Sequence, residues 1–214
     1  MDSEAWNERY RATTVWSGQP NAALVAHAPE RPAQDPGASG TAARPTALDL
    51  GCGEGADALW LASRGWSVVG VDWAGVALDR ARAAAAESGL DAHFEEGDVT
   101  DQEFLSGLSD TGTFDLITVG FLHPEPQDRA RMFAHLADLV APGGHLFVLA
   151  HDPEHGERGL PGPPPHRLLS PEAIVELLAL PTDFSVEVST LQARERDGQV
   201  TAVDSVVLVH RAAG

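Results

Sequence analysis

Three glycines at alternate positions, Gly51, Gly53 and Gly55, close the apolar stretch Ala-Leu-Asp-Leu at 47–50. About twenty residues after the first glycine, Asp72 ends a second apolar stretch, Val68-Val69-Gly70-Val71. Glycine lets backbone N–H groups approach a ligand without a Cβ in the way, and an acid at that distance can accept from two ribose hydroxyls. That pairing outlines a site for a nucleotide-type cofactor. Gly97-Asp98-Val99 offers a second turn with an acceptor and a backbone donor. Further along stand His123, followed by Pro124, and His151-Asp152. An imidazole titrates near neutral pH and can take or give a proton there. His155 and His166 raise the local histidine density, but no ligand-type spacing accompanies them and no metal is expected.

The elements that must position these residues alternate. Residues 47–50 read as a strand and 56–64 as a helix stopped by Gly65, followed by a strand over 66–72. The run Ala74–Ser88 consists largely of strong helix formers, with Gly89 placed to end it. A more polar third strand falls at 93–96, and 114–120 is apolar throughout, as befits a strand covered on both faces. Gly120 closes it. Helical spacing over 128–140 stops at Pro142-Gly143-Gly144, ahead of a fifth strand at 145–150. Residues 156–166 form a Gly- and Pro-rich loop, and Ser170-Pro171 caps a helix to Leu180. Alternation at 184–189 and 200–210 across Asp197-Gly198 predicts an antiparallel hairpin. The fold class is therefore α/β, doubly wound and mostly parallel, ending in a hairpin. Residues 46–214 make the main domain, 1–28 an N-terminal cap segment, and the Pro-, Gly- and Ala-rich 29–45 a flexible linker.

Composition removes several function classes. All 14 basic residues are Arg, against 32 acids, for a net charge of −18. Such a surface repels phosphate backbones, so no nucleic-acid partner is expected. Without Lys there is neither a P-loop nor a Schiff-base lysine. The single cysteine, Cys52, cannot pair within the chain, and the start Met-Asp-Ser-Glu is acidic where a secretory signal is basic. A cytoplasmic protein without a membrane partner is the expectation. The sequence says nothing of oligomeric state.

Leu48 to Gly55, L-D-L-G-C-G-E-G, resembles the first motif of the class I S-adenosylmethionine-dependent methyltransferases. The likeness continues through Asp72 at the second-motif acid, Gly97-Asp98-Val99, Phe114-Asp115-Leu116-Ile117 and Ala141-Pro142-Gly143-Gly144. It implies a Rossmann-like sheet of seven strands and S-adenosylmethionine as cofactor. Gly51-x-Gly53-x-x-Ala56 also fits a nicotinamide-binding turn. Asp49, Gly55, the Gly97-Asp98 turn and the terminal hairpin favour the methyltransferase.

The segment W-x-x-x-Y then V-W-S-G-x-P-N is loosely similar to the tellurite-resistance and thiopurine branch, where the N-terminus covers the cofactor. On that resemblance Trp6, Arg9, Tyr10, Trp16 and Asn21 become cap residues; the alternative is a helix that merely packs. The resemblance implies that Asp72 holds the ribose, Asp98 and Val99 the adenine, and Gly51 and Gly53 the methionine portion, with Asp49 or Glu54 at its ammonium; the alternative for Asp49 is a carboxylate that caps the turn's own N–H groups. Trp73 either packs on adenine or is a half-exposed core ring. The expected activity is methyl transfer to a small-molecule acceptor, a thiol, hydroxyl, carboxylate or chalcogen. His123 is the first acceptor-side candidate and His151 the second. Cofactor binding without transfer, as in an accessory protein, remains the alternative class.

Overall fold

The computed structural model describes residues 3–15, 17–30, 44–110 and 112–214. Trp16 and residues 31–43 of the expected linker lie outside them. The chain divides into two compact units, Met1–Asp98 and Val99–Gly214. Among the described residues a seven-stranded sheet has the strand order 92–96, 67–72, 46–50, 114–120, 140–151, 199–211 and 184–196.

The first unit contains α1 (Ser3–Ala12), α2 (Ala22–His27), β1 (Thr46–Leu50), α3 (Ala56–Ser63), β2 (Ser67–Asp72), α4 (Gly75–Ser88) and β3 (Ala92–Glu96). β1 pairs parallel with β2, and β2 parallel with β3. Ala47, Leu48, Leu50, Val68 and Val71 are fully buried. Gly89 ends α4 in the left-handed conformation, φ 62°, as its place in the sequence implies. Gly55 begins α3 at φ 82°, where a Cβ would lie 2.8 Å from the Ala81 Cβ and 3.1 Å from Phe94, so helix and strand close over a residue without a side chain.

The second unit contains α5 (Gln102–Asp110), β4 (Phe114–Gly120), α6 (Pro126–Leu139), β5 (Val140–His151), α7 (Pro153–Glu157), α8 (Pro171–Leu178), β6 (Phe184–Arg196) and β7 (Gln199–Arg211). β4 and β5 run parallel. β7 then pairs antiparallel with both β5 and β6. Asp197 and Gly198 both have positive φ, 53° and 74°, the geometry of a tight two-residue turn between twisted strands. Leu116, Ile117, Leu146, Val206, Val207 and Val209 have no exposed surface. Pro126 starts α6 two residues before the expected helix, and the Ser170 hydroxyl accepts from the Ala173 N–H to cap α8. β5 begins at Val140, earlier than the expected 145, because the chain pairs with Phe114 on leaving α6. Three helices absent from the sequence reading are α2, α5 and α7. Among the described residues no helix is long and apolar enough to cross a membrane.

Candidate functional site

In the first unit the glycine turn folds back across the end of β2. The N–H groups of Gly51 and Cys52 donate to the Val71 carbonyl at 2.8 and 3.0 Å. Gly51, Gly53 and Gly55 all have positive φ, which is the reason the sequence alternates glycine there. Asp72 ties the turn down. Its Oδ2 accepts from the Gly53 N–H and its Oδ1 from the Ala74 N–H, both at 2.9 Å. Burial raises the Asp72 pKa, and the backbone N–H bonds oppose that rise. A carboxylate oxygen accepts more than one hydrogen bond, so Asp72 keeps capacity for a diol. Asp49 is buried, 3% exposed. Gly97 donates from its N–H to the Asp72 carbonyl, and places half-buried Asp98 and buried Val99 directly after β3.

The N-terminal segment is docked on this unit. Tyr10 is buried against Ala74 and Ala77 in a cluster that Trp6, Val15, Trp73 and Val76 share. Trp73 therefore packs beside the N-terminal rings. Asn7 Oδ1 accepts from the Val76 N–H at 3.0 Å, capping α4 in place of Ala74, which has no side chain to do so. Arg80 reaches the carbonyls of Tyr10 and Thr13 and pairs with Glu54 at 2.6 Å. Glu54 also accepts from the Val15 N–H. Its carboxylate thus anchors the segment. Asn21 donates twice to Asp57, at 2.7 and 2.6 Å. Arg9 lies over the Trp6 ring, 5.0 Å from its centroid, and is exposed.

In the second unit β4 ends at Gly120, and Phe121 follows in the left-handed region at φ 52°. A non-glycine residue there costs on the order of 1–3 kcal/mol and persists only where its surroundings hold it. The Phe121 N–H donates to the Leu149 carbonyl at 2.8 Å, and its ring lies 4.7 Å from that of His151. His123 and His151 stack at 5.3 Å, and His151 and His155 at 4.3 Å. Both predicted acceptor-side histidines thus meet in one cluster, together with a third. The His123 ring is bonded to the Phe121 backbone, while its Nε2 is buried without a hydrogen-bond partner among the described residues. Burial first, then the neighbouring His151, lowers its pKa to about 3. His123 is neutral at physiological pH. His155 is 1% exposed; its Nε2 lies 3.2 Å from the Pro161 carbonyl and its Nδ1 3.3 Å from the Val203 N–H. Those partners assign the proton to Nε2, and burial lowers this pKa as well.

His151 Nδ1 lies 2.8 Å from Asp204 Oδ1. Asp204 is its cross-strand partner on β7, and Arg194 of β6 donates from Nε to Asp204 Oδ2 at 2.6 Å. Burial pushes the Asp204 carboxyl up, and the hydrogen bonds and charges of His151 and Arg194 outweigh it, holding the group below the usual carboxylate range. Sequence reading missed Asp204 and Arg194. The available signal was a single acid inside the apolar run Ala202 to Val209. Asp152 is buried with another task, accepting from the Glu154 N–H and the Ser205 hydroxyl. No group of three or more His, Cys, Asp or Glu among the described residues is arranged to hold a metal.

Known proteins match the same stretch. A family described as a methyltransferase domain matches residues 47–144. The 2-heptyl-1-hydroxyquinolin-4(1H)-one methyltransferase of Mycobacteroides abscessus is 33% identical over 120 residues, 55% of this chain and 51% of that protein. The chain spans about half the length of the curated relatives it matches. A solved structure described under "Conversion of a Disulfide Bond into a Thioacetal Group during Echinomycin Biosynthesis" superposes with a TM-score of 0.72 at 23% identity. It covers 99% of this chain and 93% of its own. TehB from Haemophilus influenzae superposes at 0.61 with 16% identity, over 78% of this chain and 58% of its own. Residues 47–144 thus resemble a methyltransferase domain, and the seven-stranded sheet is the fold shared with these solved structures.

Proposed function

We propose that the protein transfers a methyl group from S-adenosylmethionine to a small-molecule nucleophile. The observation that carries this reading is the Gly51–Gly55 turn pinned over Asp72, a backbone cradle with an anionic acceptor beside it. The cofactor would supply a methyl carbon activated by a sulfonium. Asp72 would accept from the ribose hydroxyls, which charge-assisted bonds suit. Asp98 would accept from the adenine amino group and the Val99 N–H would donate to the ring. Gly51 and Gly53 would admit the methionine portion, with Asp49 at its ammonium. Trp6, Tyr10 and Trp73, already packed together, would shield the nucleotide, with Arg9 stacked outside Trp6.

Gly120, at the end of β4, would contact the cofactor, while His123 and His151 belong to the acceptor side, at the ends of the strands where an open α/β sheet binds ligand. The relatives' names support a small acceptor: a hydroxyquinolinone in one and ubiquinone biosynthesis in another. The strongly negative surface supports it too, since a phosphate polymer would be repelled.

Calorimetric titration with S-adenosylmethionine, its demethylated product and NAD tests the reading. Binding of the first two with no heat from NAD is expected. Tight NAD binding with no response to the other two overturns it. Methyl transfer itself is checked with labelled cofactor against thiols, phenols, carboxylic acids and chalcogen oxyanions. Binding without transfer to any acceptor class would instead make the protein an accessory binder.

A further inference from the structure

The histidine cluster holds more than a ring stack. Asp204 Oδ1 faces His151 Nδ1 at 2.8 Å, so the imidazole proton belongs on Nδ1 and the Nε2 lone pair points away from the acid. Nε2 makes no hydrogen bond among the described residues, and the side chain keeps 16% of its surface exposed. The pair is rigid. His151 and Asp204 are register partners of two hydrogen-bonded strands, and Arg194 grips both carboxylate oxygens at 2.6 and 3.2 Å. His155 covers the His151 ring at 4.3 Å and is itself fixed by the Val203 N–H and Pro161 carbonyl. Phe121, at a costly backbone angle, leans on His151 and lies under Arg194, 5.1 Å away. Among the described residues, the charged and titratable groups against His151 and its acid are Asp204, Arg194, His123 and His155.

We propose that His151 takes the proton from the methyl acceptor, with Asp204 and Arg194 as its positioning residues, and that the acceptor is a flat ring bearing a weakly acidic hydroxyl. This rests on the methyl-transfer reading above. A carboxylic acid or a readily ionised thiol arrives without its proton and needs no such dyad. A phenol-type hydroxyl, with a pKa of about 10, keeps its proton at neutral pH and lies within a histidine's reach. The rings of Phe121, His123 and His151 lie within 4.7–6.4 Å of one another, an aromatic cluster of the kind a planar molecule packs beside. In the step, the acceptor's O–H bond breaks and its proton goes to His151 Nε2. The oxygen's electron pair forms the bond to the methyl carbon, and the carbon–sulfur pair leaves with sulfur. One positive charge vanishes at the sulfonium and one appears on the imidazolium, where Asp204 balances it. His123, neutral and with its Nε2 buried, flanks this exchange and does not take the proton.

Two measurements on the whole chain test the proposal. The first is the imidazole nitrogen-15 spectrum, which needs no turnover. The Nδ1–H tautomer of His151 is expected in the wild type and its loss in Asp204→Asn. An Nε2–H tautomer in the wild type overturns the dyad. The second is labelled methyl transfer to phenol and to a nitrophenol already ionised at the assay pH. His151→Gln keeps a donor toward Asp204 and is expected to lower the rate on phenol by about 10²-fold while sparing the nitrophenolate. Equal losses on both overturn the proton-taking role. If Asp204→Asn does not fold, the wild-type spectrum and His151→Gln still decide the matter. A wild type that binds demethylated cofactor yet methylates neither phenol overturns the acceptor class alone. No binding of either form of the cofactor overturns the methyl-transfer reading, and the dyad with it.

Discussion

His123 carries a cost that shows in stability before it shows in rate. An unfolded histidine titrates at about 6.5, while this one is held down to about 3, chiefly by burial. Its folded form therefore binds fewer protons, and the stability it contributes is complete above pH 6.5 and is lost as pH falls toward 3. The loss approaches about 1.4 kcal/mol per pH unit inside that window. Urea midpoints at neutral and mildly acidic pH should converge for His123→Gln relative to wild type. An unchanged difference between the two proteins at both pH values would mean that the ring is not held neutral. The type and place of this residue are legible in the sequence, since a histidine before proline at the end of an apolar strand can go nowhere else. Its protonation is not. That depends on Phe121, His151 and Arg167 closing round it from segments up to 44 residues away. Asp204 was illegible for a related reason: hairpin register, which pairs it with His151, is fixed by β7 lying between β5 and β6.

At the scale of elements, the strands, α3, α4, α6 and α8 followed from periodicity and caps, while α2, α5 and α7 did not. α2 and α7 have only 6 and 5 residues, too short for a period to appear, and α5 includes Gly107 and two serines among its nine residues. The docking of α1 was half legible: its aromatic residues demand a partner, but Arg80, which holds it, lies on α4. Arg80→Ala removes the bonds to the Tyr10 and Thr13 carbonyls and the ion pair with Glu54, which is 12% exposed. A loss of about 2–3 kcal/mol is expected, with faster amide exchange confined to residues 3–15. Unchanged exchange there would show that Tyr10 packing alone seats the segment. Gly70→Ala on β2 tests the packing beneath. Its Cβ would meet Phe94 at 2.7 Å and the Cys52 Sγ at 3.0 Å, so a loss of about 1–3 kcal/mol in denaturant unfolding is expected. A stability equal to wild type would mean that Phe94 yields freely.

Across the whole molecule the dominant quantity is charge, 14 arginines against 32 acids, or −18. A field of that sign raises the local concentration of cations and lowers that of anions, and salt screens it over a Debye length of about 8–10 Å. S-adenosylmethionine carries a sulfonium that its demethylated product lacks, so the two ligands differ by one charge in an otherwise common skeleton. On the proposed methyl transfer, the acidic protein should therefore favour S-adenosylmethionine over its demethylated product most at low ionic strength. That difference would aid product release, because transfer removes the charge that the field attracts. The expected result is that raising salt from about 20 mM to about 300 mM weakens S-adenosylmethionine binding by about two- to fivefold more than product binding. Isothermal titration of both ligands across the salt series measures this directly. Identical salt slopes would show that the sulfonium is bound where local groups such as Asp49 and Asp72, and not the summed surface charge, set its potential.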